Sequence, residues 1–163
     1  DLALSIGAKD VLLADTDERK ESIWNARGAF LEAIKGSTPE MDECDVVVPR
    51  EDIPAFVRKS VEIGRKIGVR ICSFGHAGDG NLHIYACKDD LADEVWEKAV
   101  EQVMDELYIA AKEMGGEVSG EHGIGHAKKG FLAESMGETQ MNLMRGIKAA
   151  FDPKGILNPG KVV

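Results

Sequence analysis

Residues 69–87 read VRICSFGHAGDGNLHIYAC, two β-prone runs joined by a glycine-rich link. No other stretch constrains the fold as strongly. Short runs rich in Val, Ile, Phe and Tyr, divided by Gly, Asp and Asn, predict an antiparallel hairpin. Gly78 and Gly80 can adopt the positive φ that such a turn needs, while Asp79 and Asn81 suit its corners. Asp79 is therefore read as a turn former, with a supporting role beside a metal as the alternative.

The flanking sequence extends this pattern. Residues 18–37, ERKESIWNARGAFLEAIKGS, space their apolar positions for one helix face, and Gly36 supplies the stop. CDVVVP reads as a short buried strand closed by Pro49. Asp52 can cap the next helix, with Pro54 tolerated in its first turn and Gly68 ending it. After the hairpin, Asp90 or Asp93 caps DEVWEKAVEQVMDELYIAAKEM, which Gly115 and Gly116 terminate. EVSGEHG reads as a fourth extended piece, although Glu121 lies several residues past the helix end, so that either the strand starts late or the chain curls back; a helix near residues 138–150 stops at Asp152-Pro153. From Cys44 to about Glu121 the order is strand, helix, strand, strand, helix, strand. That order predicts an α+β fold of the ferredoxin-like βαββαβ type, an antiparallel sheet with helices on one face, plus flanking N- and C-terminal helices.

A length of 163 residues suits one domain with a real core. No apolar run approaches the roughly 18 residues of a membrane span, and the N-terminus lacks a basic-then-apolar signal pattern. The net charge of −9 excludes a nucleic-acid surface, which needs a cationic face. Cys44, Cys72 and Cys87 are odd in number and lack CxxC spacing, so they read as buried free thiols of a reducing, cytoplasmic protein. The chain opens mid-pattern with DLALSIG and no initiator methionine, which reads as a piece of something longer.

Four histidines remain: His76, His83, His122 and His126, all within GHAGDGNLH and GGEVSGEHGIGH. His76 and His83 are seven apart, so a straight strand would send them to opposite faces about 23 Å apart. A hairpin brings them together instead. Two imidazoles and a carboxylate such as Glu121 make an open site suited to zinc, ferrous iron or manganese. Glu121 and His122 are adjacent and would point opposite ways in extended chain, so one is expected to ligate and the other to do different work. Glycine loops that merely turn corners are the alternative.

Three ordered motifs now combine: GHAGDGNLH, then SGEHGIG with Lys128 following, then DPKGILNPGK, together with WNAR and DVVVP upstream. They resemble the C-terminal domain of FAD-linked oxidases of the vanillyl-alcohol oxidase group, among them glycolate oxidase flavin subunits, D-lactate dehydrogenases and D-2-hydroxyglutarate dehydrogenases. The resemblance implies that residues 1–163 form a cap or substrate domain, inactive without an N-terminal FAD-binding domain. By the same resemblance His76, His83 and Glu121 would bind a divalent metal, and His122 would be the general base. Arg27, Asn81 and Lys128 would contact substrate, and Asn158 would approach the flavin. The implied reaction oxidises a small D-2-hydroxy acid to the 2-oxo acid with transfer of hydride to FAD. Glu43 stands where relatives selective for longer diacids carry a basic residue, which favours a glycolate or D-lactate type of monoacid. Iron-sulfur or electron-transferring flavoprotein subunits are implied partners, and apolar surface uncovered by a missing domain predicts a homodimer. Two other readings fit the same residues: a metal-dependent hydrolase using the His/His/Glu set, and a non-catalytic interaction module.

Overall fold

The computed structural model describes all 163 residues. They divide into two compact units, residues 1–37 and 38–163. The first contains α1 (Leu2–Ser5), α2 (Asp17–Gly28) and α3 (Phe30–Lys35). Thr16 caps α2, its hydroxyl accepting the Arg19 N–H at 3.3 Å. The single helix expected over residues 18–37 is interrupted at Ala29, whose N–H lies 3.2 Å from the carbonyls of both Asn25 and Ala26. Gly28, a poor helix former, precedes the break and lowers its cost.

The second unit holds β1 (Met41–Val47), α4 (Ile53–Ile67), β2 (Arg70–His76), β3 (Asn81–Cys87), α5 (Asp93–Glu113) and α6 (Lys129–Phe151). The sheet order is β1-β3-β2, with both pairs antiparallel. Helix α4 lies along β2, α5 lies along β1, and the two helices touch each other, so they cover one face. The α+β class is as expected. The fourth strand, however, is a single antiparallel bridge between Val47 and Glu117, on the free edge of β1 where a ferredoxin-like fold places it. Beyond that bridge the chain leaves the β1 backbone and wraps a β1 side chain instead.

Strand alternation divides the sheet by chemistry. Register sets Cys44 opposite Ile84 and Val46 opposite Leu82, and these four side chains are buried with Ala86. They pack against Phe56 and Ile63 of α4 and Trp96, Val103 and Leu107 of α5. Gly64 lets α4 approach β2 closely, because a Cβ there would collide with Ile71 and the Val69 carbonyl. Glu43, Asp45, Phe74, His76, Asn81 and His83 occupy the alternate positions and so share the helix-free face.

Helix ends follow the sequence only in part. Gly68 closes α4 at φ 87°, as expected. Helix α5 starts after Ala92 without a side-chain cap, rather than behind Asp90 or Asp93; Asp93 lies in its first turn, paired with Lys88. Gly137, at φ 74° and ψ 169°, divides α6 into two helical segments, of which the second, residues 138–151, is the tail helix expected near residues 138–150, and the first, residues 129–136, is additional.

Candidate metal centre

The hairpin link spans Ala77 to Gly80. The His76 carbonyl accepts N–H bonds from Asp79 at 3.3 Å and Gly80 at 3.1 Å, and the Asp79 carboxylate accepts the Asn81 N–H at 3.1 Å. Asp79 therefore shapes the turn. Gly80, at φ 83°, packs so closely on the Val48 carbonyl that a Cβ would collide with it. Register places Phe74 opposite His83 and His76 opposite Asn81. His76 and His83 are thus diagonal neighbours on one face, their ring centroids 6.1 Å apart.

Asp45 organises the second half of the site. It is 1% exposed. Its Oδ2 accepts the Ser119 hydroxyl at 3.0 Å and the N–H groups of Gly120, Glu121 and His122 at 3.2, 3.3 and 3.0 Å. The Lys128 ammonium reaches both that oxygen, at 3.4 Å, and the Asp45 carbonyl, at 3.1 Å. Burial alone would raise the Asp45 pKa, but the His122 N–H, the Lys128 charge, the Ser119 hydroxyl and the Glu121 N–H outweigh it and hold the carboxyl below its usual range. Gly120 is needed in this wrap, since a Cβ there would collide with the side-chain oxygens Oδ1 of Asn81 and Asp45. Those two buried oxygens are otherwise without hydrogen-bond partners.

Because the loop curls around a carboxylate, Glu121 and His122 are not in extended chain, and the expectation that they diverge does not hold. Both arrive at His83. The His83 side chain, 5% exposed, has Nδ1 2.8 Å from Glu43 Oε1 and Nε2 3.1 Å from Glu121 Oε1. His122 stacks beside it, ring centroids 5.1 Å apart at 32°, with Nδ1 3.5 Å from Glu43 Oε1 and Nε2 3.7 Å from Glu121 Oε1.

One potential ligand atom from each of His76, His83 and Glu121 lies within 4.8 Å of the others. Glu43, His83 and His122 form a second, overlapping set by the same measure. Two imidazole nitrogens with a carboxylate oxygen suit zinc, ferrous iron or manganese, and three protein donors leave positions for exchangeable ligands. The donor set therefore fits the divalent ion that the sequence implied.

The other expected residues lie as follows. Asn81 is buried beside Asp45 and Gly120. Lys128 is committed to Asp45, with its ammonium 5.9 Å from the Tyr108 ring centre. Arg27 is on α2 in the N-terminal unit. Asn158 takes a left-handed turn at φ 46° in the tail, which Asp152 anchors by accepting the N–H groups of Ile156 and Leu157 at 3.0 and 2.9 Å. That tail is clasped to the glycine loop by Val162 N–H to the Gly125 carbonyl, 2.8 Å, with His126 Nδ1 3.3 Å from the Gly160 carbonyl. The sequence reading missed two residues that touch this site, Glu43 as a contact of both imidazoles and Asp45 as the loop anchor. Their signal was present: two acids, Glu43 and Asp45, alternate with Cys44 and Val46 in the strand.

Fold and site together define an α+β domain with an open histidine–carboxylate centre on the helix-free face of its sheet. Residues 1–162 match the family of FAD linked oxidases, C-terminal domain, and the chain belongs to that family. It is 51% identical to a D-lactate dehydrogenase of Anaerostipes hadrus, over 99% of this chain and 34% of that protein. Identity to glycolate oxidase subunit GlcD of Bacillus subtilis is 39%, over 95% of this chain and 33% of the relative. A D-2-hydroxyglutarate dehydrogenase of Stutzerimonas stutzeri is 32% identical, over 94% and 33% respectively. The chain spans about a third of the length of these curated relatives.

Proposed function

We propose that this chain is the metal- and substrate-binding part of an FAD-dependent enzyme that oxidises a small D-2-hydroxy acid to the 2-oxo acid. The observation that carries the reading is the meeting of His76, His83 and Glu121 beside His122 on one sheet face. His76, His83 and Glu121 would hold a zinc, iron or manganese ion, which when bound supplies Lewis-acid polarisation of the substrate's hydroxyl and carboxylate oxygens. His122, its side chain 48% exposed, would take the hydroxyl proton. FAD, the acceptor of the electron pair, is held by the N-terminal part of the longer enzyme. Asn81 lines the site, whereas Lys128 acts through Asp45. Arg27 toward the substrate carboxylate and Asn158 toward the flavin rest on family resemblance alone.

Glu43 and Glu121 put negative charge against the imidazoles, which supports a monoacid such as D-lactate or glycolate over a diacid. The names of the D-lactate dehydrogenase and glycolate oxidase relatives support the same class. Three free cysteines support a cytoplasmic setting. No helix is long and apolar enough to cross a membrane. Leu143, Ile147 and Phe151, exposed at four-residue spacing on α6, support an apolar docking surface for a flavin-binding domain or a second copy.

The test uses the enzyme in which this chain is joined to its flavin-binding part. His122→Ala should lower turnover of D-lactate about 10²–10⁴-fold while metal content is kept, and His83→Ala should lose both. Undiminished turnover in both variants overturns the reading. Ester or amide cleavage by this chain without flavin would favour a hydrolase instead.

A further inference from the structure

His83 and His122 present a question that the ligand set leaves open. Each imidazole has two nitrogens, only one of which carries a lone pair in the neutral ring, and a ring in the wrong tautomer offers a metal or a proton nothing to bind. The two rings lie side by side between two carboxylates. Glu43 stands behind both Nδ1 atoms, at 2.8 Å from His83 and 3.5 Å from His122. Glu121 stands before both Nε2 atoms, at 3.1 and 3.7 Å.

We propose that Glu43 is a positioning residue that sets the tautomer of both imidazoles. A carboxylate only accepts hydrogen bonds, and of the two carboxylates at His83 only Glu43, 2.8 Å from Nδ1, has hydrogen-bond geometry; Glu121 comes within 3.1 Å of Nε2 without it. The proton is then on Nδ1 and the lone pair on Nε2. For His122 the 3.5 Å separation is long for a hydrogen bond, but Asp45 Oδ2 lies 3.9 Å from the same Nδ1. Two carboxylates on that side, against Glu121 alone at 3.7 Å from Nε2, favour the proton at Nδ1, and again Nε2 keeps the lone pair. The Nε2 atoms of His83, the proposed ligand, and of His122, the proposed base, are thereby both left facing Glu121.

The fold makes this arrangement rigid. Glu43 is on β1 and His83 on β3, hydrogen-bonded neighbours in the sheet, so their contact is fixed by register and not by a loop. His122 is fixed by its own N–H to Asp45, one rung along the same strand face. Glu43 could itself be a ligand, since it closes the second donor set. The assignment to positioning follows from the hydrogen bond of Glu43 to His83 Nδ1, which leaves Nε2 facing Glu121, the carboxylate that shares the other donor set with His76. A carboxylate behind a ligating histidine also raises that histidine's basicity, the usual arrangement for such residues.

The proposal rests on the metal-site reading, and its test separates the two. The chain, labelled with ¹⁵N-histidine and free of metal, is examined by long-range ¹H–¹⁵N correlation at mildly alkaline pH. Wild type should show His83 and His122 protonated at Nδ1. Glu43→Ala should move both toward the Nε2-protonated form and weaken zinc binding about 10–100-fold, measured by competition with a chromophoric chelator. Glu43→Gln, whose carbonyl still accepts an N–H, should restore the tautomer and most of the affinity; a structural role for charge alone would not show this rescue. Wild-type rings protonated at Nε2, or a tautomer indifferent to Glu43→Ala, overturn the proposal even if zinc binds. Should the tautomer follow Glu43 while zinc fails to bind wild type, the metal site falls and the positioning role stands.

Discussion

The two faces of the sheet come from the same three strands, yet they are held together by different forces. On the helix-covered face Val46, Leu82 and Ile84 are buried in the apolar cluster with Cys44, whose thiol meets Tyr108, and their burial stabilises by removing apolar area from water. On the other face Asp45 is 1% exposed, beside Val46 at 0%, but its Oδ2 accepts four donors from Ser119–His122 and faces the Lys128 ammonium, while Oδ1 stays without a partner. Burial alone does not tell the two apart; what answers each buried group does. The first face decides whether the domain folds, and the second decides where Glu121 and His122 go.

The largest test of this division is Asp45→Ala. It strands the Lys128 ammonium and frees the loop, so it should cost about 3–5 kcal/mol in urea unfolding and also abolish zinc binding by the protein that remains folded. Ile84→Ala strikes the apolar face alone. At 0% exposure it should cost about 2–5 kcal/mol, with zinc affinity unchanged. A loss of affinity there, with the fold intact, would mean that the faces are not separable in this way.

A third, smaller effect sharpens the comparison away from both faces. The Asp152 carboxyl lies below its usual range, chiefly because the Leu157 N–H donates to it; burial opposes, and the Ile156 N–H and Lys148 add to the lowering. A depressed folded pKa gives stability that is fully present above the ordinary aspartate value, about 3.9, and is lost as pH falls through the folded value. Asp152→Asn should therefore melt below wild type at neutral pH, with the gap closing as the solution is acidified beneath pH ~4. A gap that stays constant with pH would remove this carboxylate from the account.

Legibility in the sequence follows the same division. β2, β3, α4 and α5 were readable because period-2 and period-3.6 patterns, with Gly68 and Gly115 as stops, report repetitive backbone structure. The approach of His76 to His83 was readable because a glycine hairpin has one plausible outcome. The fourth strand was not, since residues after Glu117 bond to a side chain, Asp45, and no periodicity encodes such a capture. For the same reason Glu121 and His122 were expected to diverge. Asp45, and the contact of Glu43 with the imidazoles, were not readable because the neighbouring residues mark the strand as core, whereas alternation lets successive residues of that strand serve opposite faces. The tail helix was readable as well, since it starts directly after the non-helical Gly137 and covers the residues near 138–150 where the pattern placed it.

Zinc K-edge absorption on the zinc-loaded chain tests the centre itself. The account predicts one bound zinc whose first shell contains two imidazole nitrogens and a carboxylate oxygen, and its disappearance in His83→Ala with the circular dichroism unchanged. A shell with fewer than two imidazoles or with sulfur, or stoichiometric zinc that survives His83→Ala, would contradict it.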